Sequence, residues 1–578
     1  MSRARRKPQV KAVPTWRRHS ITALILAAST VLALRAFDLQ VLDRAFLENE
    51  SAKRALRHVE IPAHRGAIRD RNGEPLAVSA PVESIWVVPG DLLAAPEYLA
   101  PLANLLDRDV EGLRAELAAR SERRFYWLER HLAPAQARRI KALEAPGVAS
   151  AREYRRFYPT GEITAHLVGL TNIDGEGLQG FEAAAEEVLS GRPGKRRVTR
   201  ARDGRVVDAG VELQPARPGQ DVRLSIDLRL QYLAHRELKA AVQRHGAAGG
   251  MVLVADVQTG DILAMTSAPG YNPNDRASFG DARMRNGAVA DLFEPGSTVK
   301  PLLVAHALDA GLIAPNATYD TGDGWAQVGR LTVQDVSAYG VVDLARLLQK
   351  SSNVGAAKLG LDIGAEEVFS AYQRFGFGQP LYFGFPGSRP GLLRFWGDWG
   401  EVTTATASYG YGVSTSAVHL LRAYVALARD GEMPGLRLRT DQAAMPPERV
   451  ISADTARRVR RMLEGVVSDV GTAPQAAVPG FRVAGKTGTV RKVGAGGYAE
   501  DRHQGLFVGM LPAENPRLVG LVMIDEPTHG EYYGGATAGP VFSRVMQGAA
   551  HWMQLAPRAP SAPGFTTVEH RLDRESRS

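Results

Sequence analysis

From Ser20 to Leu34 the chain runs fifteen residues without a charge and then meets Arg35. That is short of the roughly 17–25 residues a membrane-spanning helix needs. Arg35 can snorkel, however, Phe37 prolongs the apolar stretch, and Trp16 stands where an interfacial aromatic would. A cleaved signal peptide shares these features, but no small-x-small cleavage site follows the run, so an uncleaved anchor over 20–42 is the expectation. From 43 to 220 the pattern changes to short strands and helices. Ile61 to Ser79 reads as strand, Asn72-Gly73 turn, strand, and the glycine-rich run Arg155 to Glu182 precedes a helix ending near Gly191. Nothing in this region clusters like a site; it reads as scaffold.

A new unit begins near Asp221. Leu230, Leu233, Ala234, Leu238, Ala241 and Val242 recur at helical spacing, with Asp227 placed to cap the helix and Gly246 to stop it. Met251–Val257 and Asp261–Met265, joined by Thr259-Gly260, predict a β-hairpin. Three more strands are expected much later, at 482–490, 505–511 and 518–525, followed by a helix from Pro540 to Met553. The sheet is therefore assembled from both ends of a 221–555 domain, with a mostly helical insert between, which is an α/β sandwich. Residues 556–578 turn to Pro, Ala, Ser and Arg and read as a disordered tail.

The 578 residues are too many for one ordinary domain, and 44% hydrophobic with 23% charged residues is the balance of a water-soluble bulk. The net charge of +9 does not point to nucleic acid, because seven cations and no carboxylate lie in residues 1–19, leaving +2 for the other 559 residues. That cationic flank is expected to stay in the cytoplasm and everything after about residue 42 to lie outside the inner membrane. The absence of cysteine excludes disulfide scaffolds, thiolate metal sites and cysteine nucleophiles.

Ser297-Thr-Val-Lys300 follows Phe293-Glu-Pro-Gly296. The Pro-Gly entry puts Ser297 near a helix N-terminus, where free N–H groups support a developing oxyanion, and Lys300 one turn on along the same face. A serine hydroxyl needs a base, and a desolvated lysine beside another cation can serve. Ser-x-x-Lys alone is two common residues in register. Two further motifs, each present once, strengthen it: Ser351-Ser-Asn353 in a helical region, and Lys486-Thr-Gly-Thr489 at the end of a strand, where a lysine and two hydroxyls suit a substrate carboxylate and Gly488 allows close backbone approach. Gly494 to Gly497 lacks the Lys-Ser/Thr of a phosphate loop and reads as a hairpin tip.

In this order the three motifs resemble the active-site signature of penicillin-binding proteins and class A β-lactamases. Arg65-Gly66, Asp70-Arg-Asn-Gly73, Tyr158-Pro159, Ala165 to Gly169, Asn172 and Gly180-Phe-Glu182 are similar to the pedestal of class B penicillin-binding proteins. Asp291 to Pro301, Tyr409 to Gly412 and Tyr532 to Gly535 are similar to their division-specific members. The resemblance runs from about 20 to 555. It implies a basic cytoplasmic tail (1–19), an anchor (20–42), a non-catalytic pedestal or dimerisation-type domain (43–220), and a transpeptidase domain (221–555) whose antiparallel sheet is sandwiched by helices.

The implied activity is septal peptidoglycan D,D-transpeptidation. Ser297 would attack the penultimate D-Ala carbonyl and Lys300 take its proton, while Ser351 and Asn353 relay protons and hold the peptide. Lys486, Thr487, Gly488 and Thr489 would form the carboxylate site, and the N–H groups of Ser297 and Thr489 the oxyanion hole. No metal or cofactor is implied. The implied partners are stem peptides as D-Ala-D-Ala donor and amine acceptor, β-lactams, a SEDS-type glycosyltransferase and other divisome membrane proteins. A D,D-carboxypeptidase or β-lactamase would use the same motifs with water as acceptor, and a catalytically silent divisome scaffold would need none of them.

Overall fold

The computed structural model describes residues 15–38, 56–200, 206–208, 212–279, 282–494 and 497–557. The basic tail up to residue 14, residues 39–42 of the expected anchor, the C-terminal segment from 558, and Ala495 and Gly496 of the expected hairpin tip lie outside the described residues.

The chain forms two compact units. One comprises residues up to 63 with 82–153 and 192–217; the other comprises 64–81, 154–191 and everything from 218 onward. Segments 64–81 and 154–191, which precede the expected boundary near Asp221, are thus grouped with the residues that carry the motifs.

In the first unit, Thr15–Phe37 is a helix of 23 residues, fully exposed along its apolar run. At 1.5 Å per residue it measures about 35 Å, enough to cross a bilayer. The helix gains its length by starting five residues before Ser20 and running through Arg35. Strands Leu56–Ile61, Gly194–Arg200 and Glu212–Gln214 form an antiparallel sheet, with Val206–Asp208 paired to the middle strand. Residues 82–153 close around a separate core containing Ile85, Leu102, Leu113, Leu117 and Ile140.

The second unit begins with a hairpin in which Ile68–Arg69 pairs with Pro75 and Ala77 at the start of the strand that opens at Pro75. Its Asn72-Gly73 turn is held by Asp70, whose Oδ1 accepts the N–H groups of Asn72 and Glu74, each at 2.8 Å. Gly73, at φ +97°, supplies the left-handed residue the turn requires. Asp70 Oδ2 also accepts the N–H of Leu228 at 3.1 Å, so one carboxylate fastens the hairpin to the helix that starts there. Three buried charges lie below: Glu182 takes Arg65 Nε at 2.7 Å and Arg156 Nε at 2.6 Å.

Helix α1 (Leu228–Arg244) starts at Asp227, whose carboxylate accepts the N–H of Arg229, and ends before Gly246 at φ +55°. The main sheet contains β1 (Gly249–Asp256), β2 (Ile262–Ala268), β3 (Ala484–Gly494), β4 (Gly497–Leu511) and β5 (Leu518–Asp525), all antiparallel in the order β2-β1-β5-β4-β3. The early hairpin and the late strands therefore meet through β1 and β5, as the sequence pattern requires. α1 and the C-terminal helix Gly539–Trp552 cover one face, with Leu238 against Gly250 and Phe542 and Met546 against Gly520. The helix Ala417–Ala428, buried but for Arg422, covers the other. The insert supplies α2 (Lys300–Asp309), α3 (Leu344–Lys350) and α4 (Asn353–Ile363). This is the expected α/β architecture, with an antiparallel sheet between helices and a helical subdomain.

Candidate active site

Ser297 lies in a 3-10 turn, Gly296–Val299, that runs directly into α2, with Pro301 in the first turn where its missing N–H costs nothing. Gly296 is left-handed at φ +53°. Its N–H donates to Gly410 O at 3.1 Å, and a Cβ on Gly410 would sit 2.2 Å from Gly296 O, so only glycine fits there. Thr298 fixes the turn from below: its hydroxyl donates to Pro295 O at 2.6 Å and its carbonyl accepts the buried Tyr424 hydroxyl at 2.7 Å. The Ser297 side chain, in contrast, is half-buried.

Lys300 points into the protein and is completely buried. Its Nζ donates to Ser351 O at 2.6 Å and Asn353 Oδ1 at 2.8 Å and stands 3.4 Å from Ser351 Oγ. The Ser297 hydroxyl is not among its hydrogen-bond partners in the described residues. Burial, and then the nearby charge of Lys486, hold the Lys300 pKa well below the ordinary lysine value, with Asp335 opposing them. The two carbonyl-type acceptors use both N–H groups of a neutral amine and leave its lone pair.

Ser351 breaks the helical region expected around it. It ends α3 in the left-handed conformation at φ +61°, a costly position for a residue with a Cβ. The break lets one residue face two lysines: its carbonyl meets Lys300, and its hydroxyl accepts from Lys486 Nζ at 2.8 Å. Ser352 then caps α4 by accepting the Gly355 N–H at 2.9 Å. Asp335 holds this junction, taking Ser352 Oγ–H at 2.6 Å and the N–H groups of Asn353 and Val354 at 2.5 and 3.0 Å. Asn353 Nδ2 donates to Gln334 O at 3.0 Å, which orients Oδ1 toward Lys300. Asp335 was not identified from sequence; it stands sixteen positions before Ser351 with no periodic or motif relation to it.

Lys486, Thr487, Gly488 and Thr489 lie inside β3 rather than at a strand end. Lys486 is fully buried and desolvation pushes its pKa down to about 7. Besides Ser351 it meets Thr487 O at 3.2 Å. Thr487 Oγ1 pairs with Thr472 Oγ1 at 2.8 Å, and Thr489 Oγ1 accepts the N–H of Gly534 at 3.1 Å. A Cβ on Gly488 would lie 3.0 Å from Thr298 Cγ2 and 3.3 Å from Pro295 O, so this glycine lets the strand approach the Ser297 turn. Three segments remote in sequence thus converge on one cleft, linked through Lys300, Ser351 and Lys486.

His166 is buried with Nε2 2.7 Å from Arg283 O, an ordinary core arrangement. His503, within β4, stacks on Tyr532, ring centroids 4.2 Å apart.

A family model described as the penicillin binding protein transpeptidase domain matches residues 250–547, and one described as the penicillin-binding protein dimerisation domain matches 60–224. The chain is 41% identical over 537 residues to the probable peptidoglycan D,D-transpeptidase PbpC of Pseudomonas aeruginosa, covering 93% of this chain and 95% of that one. It is 37% identical over 550 residues to the peptidoglycan D,D-transpeptidase FtsI of Escherichia coli K12, with 94% and 93% covered. Among solved structures it is similar to the transpeptidase domain of Burkholderia pseudomallei penicillin-binding protein 3, at 42% identity and TM-score 0.54 over 58% of this chain and 98% of that one. It is also similar to Mycobacterium tuberculosis penicillin-binding protein 3 complexed with aztreonam, at 28% identity and TM-score 0.67 over 87% and 98%.

Proposed function

The chain belongs to the penicillin-binding protein transpeptidases, and on that premise we propose that it is a membrane-anchored peptidoglycan D,D-transpeptidase working through a Ser297 acyl-enzyme. The observation that carries the residue roles is the joint burial of Lys300 and Lys486 about the Ser351 hydroxyl. Two ammonium groups cannot both stay charged in a dry site, so at least one amine is available as a base. Lys300, one turn from Ser297, takes the serine proton as its oxygen attacks the penultimate D-Ala carbonyl. The N–H groups of Ser297 and Thr489 receive the oxyanion. Ser351 passes a proton to the leaving D-Ala nitrogen, and Asn353 fixes Lys300 and the donor amide. The donor carboxylate sits on Lys486, Thr487 and Thr489, a charge-assisted contact that returns Lys486 to its ammonium form. An amine of a neighbouring stem then attacks the ester. A β-lactam enters as donor and stops at the acyl stage.

The helix Thr15–Phe37 spans the inner membrane with the basic N-terminus in the cytoplasm, leaving the cleft in the periplasm at the division septum. Its partners there are a SEDS-type glycosyltransferase and other divisome proteins. Reaction of the intact protein with a fluorescent penicillin followed by peptide mapping tests the assignment. Label is expected on Ser297 and none on a folded Ser297→Ala protein; label elsewhere refutes the nucleophile. Rapid release of hydrolysed β-lactam would instead identify a hydrolase.

A further inference from the structure

The C-terminal helix and α1 run antiparallel, and three pairs mark the seam between them. The Arg229 guanidinium lies 5.8 Å from the centre of the Trp552 ring, Leu233 packs on Gly548, and Glu237 pairs with Arg544. A Cβ on Gly548 would sit 2.3 Å from Leu233 Cδ2, so the glycine lets the two helices close into a floor. Above that floor opens a groove of about 1450 Å³ whose apolar lining includes Tyr232, Leu233, Phe481, Trp552, Leu555 and Pro557. Tyr232 is 51% exposed, a ring left to solvent on the rim. The C-terminal helix leads its own chain to this groove. Gln554 is left-handed at φ +53° and the Leu555 N–H donates to Ala550 O at 2.9 Å, which turns the backbone off the helix axis. Pro557 then lies against Gly480, where a Cβ would come 2.9 Å from Pro557 Cβ.

From Pro557 the sequence continues Arg-Ala-Pro560-Ser-Ala-Pro563, so prolines recur at every third position. A polyproline II helix has three residues per turn, which places all three prolines on one ridge, and their fixed φ reduces the entropy lost when the segment docks. Proline ridges of this period are recognised by grooves lined with aromatic rings. The lengths agree: in that helix residues 557–563 span about 19 Å, and the seam from Arg229 to Glu237 runs about 12 Å. We propose that residues 557–563 of this chain lie as a polyproline II segment along the groove between α1 and the C-terminal helix, with Tyr232 and Trp552 as aromatic contacts. A segment tethered at the edge of the groove acts at roughly millimolar effective concentration, which favours it over any free occupant. The Pro, Ala and Ser content that keeps the tail from building a core of its own is the content this mode of binding uses.

The chain has no cysteine, so a nitroxide attached through Ser561→Cys reports on this segment alone in the detergent-solubilised full-length protein. Its rotational correlation time is expected to be at least about threefold longer with the native prolines and Tyr232 than after Pro560→Ser/Pro563→Ser or after Tyr232→Ser, at every protein concentration. A fluorescein-labelled peptide of residues 558–565 should bind the chain stopped after Pro557 and bind the full-length chain at least about tenfold more weakly, because the native tail already occupies the groove. Unchanged penicillin labelling shows that each variant is folded. Equal nitroxide mobility with and without the two prolines overturns the proposal, as does a peptide that binds both chains equally or neither. Slow motion that survives Tyr232→Ser would put the segment elsewhere, and slow motion that appears only as protein concentration rises would put it on a second copy; either result overturns the proposal too.

Discussion

Replacing Lys486 by methionine should make the catalytic unit more stable while ending its reaction with penicillin. Lys486 is fully buried and its pKa falls to about 7 from the ordinary 10.5. The folded state therefore holds fewer protons than the unfolded chain between about pH 7 and 10.5. Wild-type stability rises with pH through that window, and the whole burial penalty is felt below it. A fall from 10.5 to about 7 corresponds to about 5 kcal/mol. Methionine fills nearly the same volume without a charge, but it forfeits the bonds to Ser351 Oγ and Thr487 O, about 2 kcal/mol together. The net gain is about 3 kcal/mol at pH 7. It shrinks to about zero near pH 9, where deprotonating the lysine costs only about 2 kcal/mol. Relief of the repulsion on Lys300 acts in the same direction. Urea unfolding of the detergent-solubilised proteins at pH 7, 8 and 9, with fluorescent-penicillin labelling in parallel, measures both effects. A methionine variant less stable than wild type at pH 7, or a difference that does not narrow toward pH 9, would refute the burial argument.

Lys300→Arg keeps the charge but cannot deprotonate, so stopped-flow acylation should slow by at least about 100-fold with the fold intact; a rate within a few-fold of wild type would move the base to Ser351 or water. Asp335→Asn weakens the grip on Ser352 and the Asn353 N–H, and acylation is expected to drop about tenfold with little change in melting temperature. A collapse of the fold would show Asp335 to be structural alone. Glu182→Ala leaves two buried arginines short of their partner and should destabilise by about 3–5 kcal/mol, read by thermal melting; a neutral result would mean that Glu186, already 2.8 Å from Arg65, compensates both.

Elements with local causes were legible from the sequence. Asp227 and Gly246 bound α1 because a cap and a left-handed stop act within a few residues. The three motifs could be read because their spacing is local, and the structure brings all three to one cleft. The left-handed Ser351 was not legible: Lys350-Ser-Ser-Asn353 continues a helix as plausibly as it breaks one, and the break is imposed by Asp335 and two lysines from elsewhere in the chain. The grouping of 64–81 and 154–191 with the catalytic residues likewise depends on contacts such as Asp70 to Leu228, which no periodicity announces.

Strand β3 ends the main sheet, with β4 as its only strand partner among the described residues. An edge strand leaves a row of N–H and C=O groups that can pair with any extended chain, including another copy of itself, and soluble proteins usually blunt such edges with charge or proline. Here the strand bearing Lys486 is packed about by the Ser297 turn and by helix Ala453–Glu464. These crowd the strand without pairing with it, leaving hydrogen-bonding capacity that an extended peptide can use. The cleft is thus also a guarded aggregation hazard. Anything that loosens the Gly296–Gly410 contact would cost turnover and solubility together, which ties quality control of this protein to the same few backbone atoms that its substrate must reach.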